Sequence, residues 1–183
     1  MKTQIITLIT ALTLGAGTVT TQASPVKNEN VTVLTGITAI NKIEVLGNVI
    51  LYVSDGVKDQ VKVYNKYYSE RALVQSSNGV LRITSYKAEK LVVWVTAADL
   101  RAISAYDNAE VKSFGNLSKI ELDVDLHNNA TAKLSIEAFS ANVTVADQAK
   151  VNMSGTVDEY ALKYNRAENV STTASLQNIP KKL

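Results

Sequence analysis

Four short triplets punctuate the second half of this chain: Asp107-Asn108-Ala109, Asn128-Asn129-Ala130, Asp147-Gln148-Ala149 and Asn165-Arg166-Ala167. Their alanines lie 21, 19 and 18 residues apart. An Asp or Asn side chain bonds its own backbone two residues on and tolerates positive φ, so each triplet reads as a tight turn. The small residue two places later lets stacked turns approach closely. Alternating segments such as Glu110-Val111-Lys112 and Lys150-Val151-Asn152 follow the turns. A period near twenty residues is too short for a unit with its own core. It fits one coil of a solenoid, whose apolar face is shielded only by its neighbours.

Elsewhere, period-two alternation and abundant β-branched residues argue an all-β chain. A strand is expected around Ile43-Glu44-Val45, then a Gly47-Asn48 turn and a second strand with Val49, Leu51 and Val53 on one face. Val61 and Val63 alternate with Lys62 and Tyr64 in the next. Leu73–Gln75 and Leu81–Thr84 flank Asn78-Gly79, a hairpin dipeptide because glycine accepts positive φ. In that hairpin Leu81 and Ile83 point inward while Arg82 and Thr84 point to water. Leu91–Val95 is apolar without alternation, reads as a strand covered on both faces, and places Trp94 in the core. In the coils, Leu122, Val124, Leu126, Val143, Val145 and Leu162 face in, and Asp123, Asp125 and Lys163 face out. Both prolines, Pro25 and Pro180, lie outside these segments, so every ladder between them can run unbroken.

Of the 183 residues, the first 23 are expected to be a signal peptide: a Met1-Lys2 start, an apolar run from Ile5 to Val19, and Thr21-Gln22-Ala23 ahead of Ser24-Pro25. That run is shorter than the roughly 20 apolar residues of a membrane span. Residues 24–36 read as a flexible leader, 37–178 as one domain with a hairpin-rich first part, and 179–183 as a tail. The absence of cysteine excludes disulfides, thiolate metal sites and a lipid-modified bacterial amino terminus. A formal charge of +2 without a basic patch argues against nucleic acid as a partner. The Asn-X-Ser/Thr triplets at Asn30, Asn116, Asn129, Asn142, Asn152 and Asn169 are of the kind a Ser/Thr/Asn-rich β surface produces by chance.

The order Ile43-Glu44-Val45, Gly47-Asn48, Val49–Val53, Asp55-Gly56, Val61-Lys62-Val63, Asn78–Ile83, Val92–Val95 and Leu100–Ala105, leading into the first triplet, resembles the putative auto-transporter adhesin head GIN domain family. The resemblance covers about residues 37 to 178. It implies a single-domain, right-handed β-helix-like solenoid, an exported protein of the Bacteroidetes type, and an adhesive role at the periplasm or surface of a Gram-negative bacterium. Family turns are Gly-Ser-Gly-like. Here they are Asp- or Asn-initiated, a departure from the family pattern at the positions where a backbone-lined groove would lie.

Three constellations could carry chemistry. Asp123 and Asp125 share a strand face roughly 7 Å apart, and stacked coils could add Asp107 and Asp147. Such carboxylates can bind Ca²⁺ or cleave sugars. A plain solvated face, charge-balanced by Lys119 and Lys133, explains them more simply. His127, the single histidine, sits at a turn without an evident nucleophile; with no second His and no Cys, no transition-metal site is expected. The tyrosines Tyr64, Tyr67, Tyr68 and Tyr106, with Tyr52 and Tyr86, suit stacking on sugars or packing against another protein. The reading is therefore an exported, cofactor-free, non-spanning binding module whose partner is a glycan or an envelope protein. Two alternatives stay open: a homo-oligomeric scaffold, and a carboxylate-dependent carbohydrate-active enzyme.

Overall fold

The computed structural model describes residues 31–64, 72–85 and 87–165. These form twelve strands: β1 (Val31–Leu34), β2 (Lys42–Gly47), β3 (Val49–Asp55), β4 (Gln60–Tyr64), β5 (Ala72–Ser77), β6 (Val80–Ser85), β7 (Leu91–Ala97), β8 (Ala102–Tyr106), β9 (Glu110–Ser113), β10 (Leu117–Leu126), β11 (Thr131–Ala146) and β12 (Lys150–Asn165). All belong to one strongly curled mixed sheet. No described helix is long and apolar enough to cross a membrane, which leaves strand-based spanning untouched.

The sixteen-residue strand β11 organises the sheet. Its first residues pair with β9 and its later ones with β10, both in parallel. Two arms extend from it: β9-β3-β7-β4-β1 on one side and β10-β8-β2-β6-β5 on the other. Along its whole length β11 also pairs with β12. The registers reproduce the triplet spacing. Glu110 faces Thr131 and Ala102 faces Asp123, both 21 residues on; Thr131 faces Lys150 and Asn142 faces Ala161, both 19 on. In-register parallel pairing stacks like on like, so inward positions form columns such as Val45-Ala105-Leu126-Val145. These columns merge into one core of fully buried aliphatic side chains.

At the corners the triplets do more than turn. Asp107, Asn128 and Asp147 all adopt positive φ, near 55–59°. Their side chains were expected to bond their own backbone. Instead the bonds run between rungs: the Asp107 N–H donates to Asn128 Oδ1 at 3.2 Å, and the Asn128 N–H donates to Asp147 Oδ2 at 2.9 Å. Each rung thus satisfies a backbone donor that the previous corner leaves open. Ala109, Ala130 and Ala149 are fully buried beneath this ladder, as close stacking of corners requires.

A second corner carries no glycine or proline signal. In β11 the buried residues are Ala132, Leu134, Ile136 and Ala138, then Ala141, Val143 and Val145, so the inward parity switches near Phe139. β10 switches between Leu117 and Leu122, with Ile120 turned out. Pairing skips Ile120, Phe139 and Asp158 at the same level in all three long strands. This stacked interruption behaves as a bulge, bending each strand so that both halves face the core. Gly155, just before it in β12, has φ 114°. A Cβ there would collide with the Ile136 carbonyl oxygen and lie 2.9 Å from its carbon.

Three local expectations need correction. Val31–Leu34, placed in the flexible leader, forms β1 against β4. Thr84 is buried rather than water-facing, because its register neighbours Leu46 and Leu73 flank it. Lys119 does not balance the Asp123 face; its buried side chain reaches Asp55 at 2.6 Å, which also accepts from the Ser118 N–H. The β5–β6 hairpin around Asn78-Gly79 forms as expected. Residues 1–30, with the expected signal peptide, and most of the fourth triplet lie outside the described residues.

Gly155→Ala should cost about 1–3 kcal/mol, the usual penalty of a forced backbone conformation, read as a lower urea midpoint. A pH effect follows from Glu44, which accepts two bonds from Arg82 across the β2–β6 ladder and lies 3.0 Å from Lys42. The Arg82 hydrogen bonds, opposed by burial and helped by Lys42, hold its carboxyl below the ordinary 4.5. A depressed acid contributes stability that is fully present above its unfolded pKa and lost as pH falls through the folded one. Urea midpoints should therefore fall below wild type in Glu44→Gln at pH 7, and the gap should close as pH drops well below 4.5.

Candidate functional site

Alternation sends every second residue of the β9-arm to the outer face. Inner residues Leu51, Val53, Val61, Val63, Val93 and Val95 are fully buried, which forces Tyr52, Lys62, Tyr64 and Trp94 outward. Register then aligns them. Lys62 pairs with Trp94, Trp94 with Tyr52, Tyr52 with Lys112, Lys112 with Lys133, and Lys133 with Asn152. One row therefore crosses six adjacent strands, roughly 24 Å at about 4.8 Å per step.

The two rings of this row form a cluster with two more beside it. Tyr52 stacks on Trp94 with centroids 4.9 Å apart and planes 28° apart. Phe114 approaches Trp94 at 4.8 Å, tilted by 55°, and Tyr64 approaches it at 6.4 Å. Phe114 is 60% exposed. Beside the rings lies a concavity of about 490 Å³ lined by Tyr52, Lys112, Asn116, Lys133, Ser135 and Ser154, among others. The Lys112 ammonium is 6.0 Å from the Tyr52 ring centre, within cation–π range.

Charge in the row is uneven. Glu110 is held between Lys112, at 2.8 Å, and Lys90. The Lys112 bond and then the Lys90 bond pull its carboxyl below the ordinary range, and the same contact with Glu110 raises Lys112. Lys62 and Lys133 pair with no carboxylate among the described residues. Asn116 donates to Glu137 at 3.2 Å and accepts from the Ser135 hydroxyl at 3.1 Å, which braces the polar wall of the concavity.

Of the tyrosines singled out in the sequence, Tyr52 and Tyr64 join this cluster. Tyr106 ends β8 on the other arm and stacks face to face on His127, centroids 4.8 Å apart and planes 8° apart. Tyr67, Tyr68 and Tyr86 lie outside the described residues. Trp94, expected in the core, is on the outer face. The signal was legible: Leu91, Val93 and Val95 share one parity and Trp94 has the other. Phe114, in the bend after β9, was missed altogether.

The acidic face does not converge. Asp123 accepts from the Asn142 amide at 2.9 Å, and Asp147 is engaged by the corner ladder. Lys133, on β11, pairs instead with Lys112 in the aromatic row. Among the described residues no group of three or more His, Cys, Asp or Glu could hold a metal ion. A smaller concavity, about 350 Å³, brings Asp99, Arg101, Lys119 and Glu121 together. There the Arg101 fork bonds Asp99 and keeps its carboxyl low.

The fold recurs in solved structures at low sequence identity. A putative adhesin from Parabacteroides merdae superposes with TM-score 0.60 at 16% identity, covering 71% of this chain and 58% of that one. A putative adhesin from Parabacteroides distasonis gives 0.58 at 14%, covering 75% and 71%. A putative lipid binding protein from the same species gives 0.50 at 10%, covering 73% and 70%. The chain thus spans little more than half the length of the P. merdae protein, and at these identities the likeness is one of fold. No curated protein matches the sequence. A family model described as "Putative auto-transporter adhesin, head GIN domain" matches residues 39–174, nearly all of the twelve-stranded sheet. The chain belongs to that auto-transporter adhesin head GIN domain family.

Proposed function

We propose that this chain is a non-catalytic binding module of the bacterial cell envelope, and that its aromatic outer face recognises glycans. The observation that carries this reading is the Tyr52–Trp94–Phe114–Tyr64 cluster on the side of the sheet that does not face the core, with Phe114 exposed and the other three rings half-buried. Amphipathic rings beside hydroxyl, amide and ammonium groups suit the alternating apolar and polar faces of a sugar. The row is long and narrow, one residue wide except where Tyr64 and Phe114 flank Trp94. A stable protein partner would need about 800 Å² on this side, so a narrow polymer fits better. The signal-like amino terminus supports export to the periplasm or surface of a Gram-negative cell. The stacked registers of 19 and 21 residues support a β-helix-like solenoid, right-handed as parallel crossovers nearly always are.

Catalysis finds less support. A general acid needs a carboxyl raised above its ordinary range, whereas the described carboxylates with a resolved shift, Glu44, Asp99 and Glu110, all move down. Self-association has one observation in its favour. The outer edge of β12 pairs with no described strand, and Tyr160 and Leu162 on it are only partly buried. A dimer in sedimentation that becomes monomeric in Leu162→Lys would favour that second reading.

On a glycan array the wild-type chain should bind and Trp94→Ala should not. Loss of a central tryptophan anchor is worth roughly 2 kcal/mol, about thirty-fold in Kd. Trp94→Ala should keep a cooperative urea transition, because its inner neighbours Val93 and Val95 are untouched. Undiminished binding by a folded Trp94→Ala chain would refute the aromatic face as the contact surface.

A further inference from the structure

The aromatic row has cations at both ends. Lys62 stands beside Trp94 on β4, Lys112 stands beside Tyr52 on β9, and Lys133 stands beside Lys112 on β11. Glu110 is already shared by Lys90 and Lys112, and Glu137 accepts from Asn116. That leaves Lys62 and Lys133 without an acidic partner among the described residues, Lys62 one strand step from Trp94 and Lys133 two steps beyond Tyr52. A neutral sugar would use the rings and leave both ammonium groups idle. Burying lysine stems against a ligand without neutralising the charge would also carry a desolvation cost.

We infer that the ligand of this face is an acidic polysaccharide, whose sugar rings stack on Trp94 and Tyr52 while carboxylate or sulfate groups on neighbouring units meet Lys62 and Lys133. The inference rests on the aromatic face being the contact surface, and it names the charge of what binds there. Spacing supports it. Three strand steps, Trp94 to Tyr52, Tyr52 to Lys112 and Lys112 to Lys133, separate the first ring from the unpaired lysine of β11, so a chain lying across the strands meets rings and cations in turn. An acidic peptide would satisfy the lysines, but its extended backbone offers no flat apolar face to the two stacked rings.

Isothermal titration at 50 and 200 mM salt separates these outcomes. The probes are oligogalacturonate and its methyl ester, chondroitin sulfate oligosaccharide and its desulfated form, and poly-glutamate. The charged sugars should bind about five- to ten-fold tighter than their neutral counterparts at low salt, the scale of two exposed ion pairs. That advantage should shrink at 200 mM, as screening requires. In the Lys62→Gln/Lys133→Gln double variant, acid and ester should bind with the same affinity; in Trp94→Ala both should be lost. Equal binding of acid and ester by wild type would overturn the charge inference while leaving the glycan face standing. So would a preference that survives the double variant. Poly-glutamate binding as tightly as the acidic sugars would overturn it in favour of an acidic protein. Failure of all the sugars, charged and neutral, would remove the glycan reading as well.

Discussion

In-register parallel pairing is the constraint on which everything else in this fold depends. Because the strands from β8 to β12 bond to residues 19 or 21 positions away, each inward side chain there sits over its equivalent in the next rung. An apolar inward residue is therefore required on each rung, and a small residue at each corner. Burial of one large aliphatic side chain is worth about 1.5–3 kcal/mol, and a single corner hydrogen bond about 0.5–1.5 kcal/mol. The inward columns thus supply most of the stability. The corner ladder has a different effect: it holds the register, since a one-residue slip would turn every inward side chain to water.

The two kinds of corner solve the same problem by different means. At Asp107, Asn128 and Asp147 the chain accepts positive φ and bonds each side chain to the neighbouring rung's backbone. At Ile120, Phe139 and Asp158 it leaves one residue per rung unpaired and reverses the inward parity. The first kind needs a specific residue type and so leaves a mark in the sequence. The second needs only one extra residue, and any outward side chain serves, so Ile120 can be 84% exposed without disturbing the core.

That difference explains what could be read in advance. The Asp/Asn-X-Ala triplets, the Asn78-Gly79 hairpin and the inward Leu122, Val124, Leu126, Val143 and Val145 were legible because each depends on local chemistry or simple alternation. The stacked bulge was not, because Ile120 and Phe139 resemble core residues in composition. The partner of each corner side chain was hidden for another reason: a bond to the next rung and a bond to the residue two places on require the same Asp or Asn. Tyr64 and Tyr106 looked equivalent as outward tyrosines, yet they end on different arms of the sheet. Trp94 was misplaced because an apolar run suggested two covered faces, when only the Leu91, Val93 and Val95 parity is fully buried.

The same constraint explains why a recognition surface can sit on this face at little cost to folding. The inner side of β3, β4 and β7 is filled by Leu51, Val53, Val61, Val63, Val93 and Val95, all fully buried, so outward residues are free of any role in the core. Their positions are nonetheless fixed, because each is flanked by two buried neighbours on a strand paired on both sides. Trp94 lies on β7 between β3 and β4, and Tyr52 on β3 between β7 and β9. Rings held in this way lose little freedom when a ligand arrives, which is where much of the cost of binding usually lies.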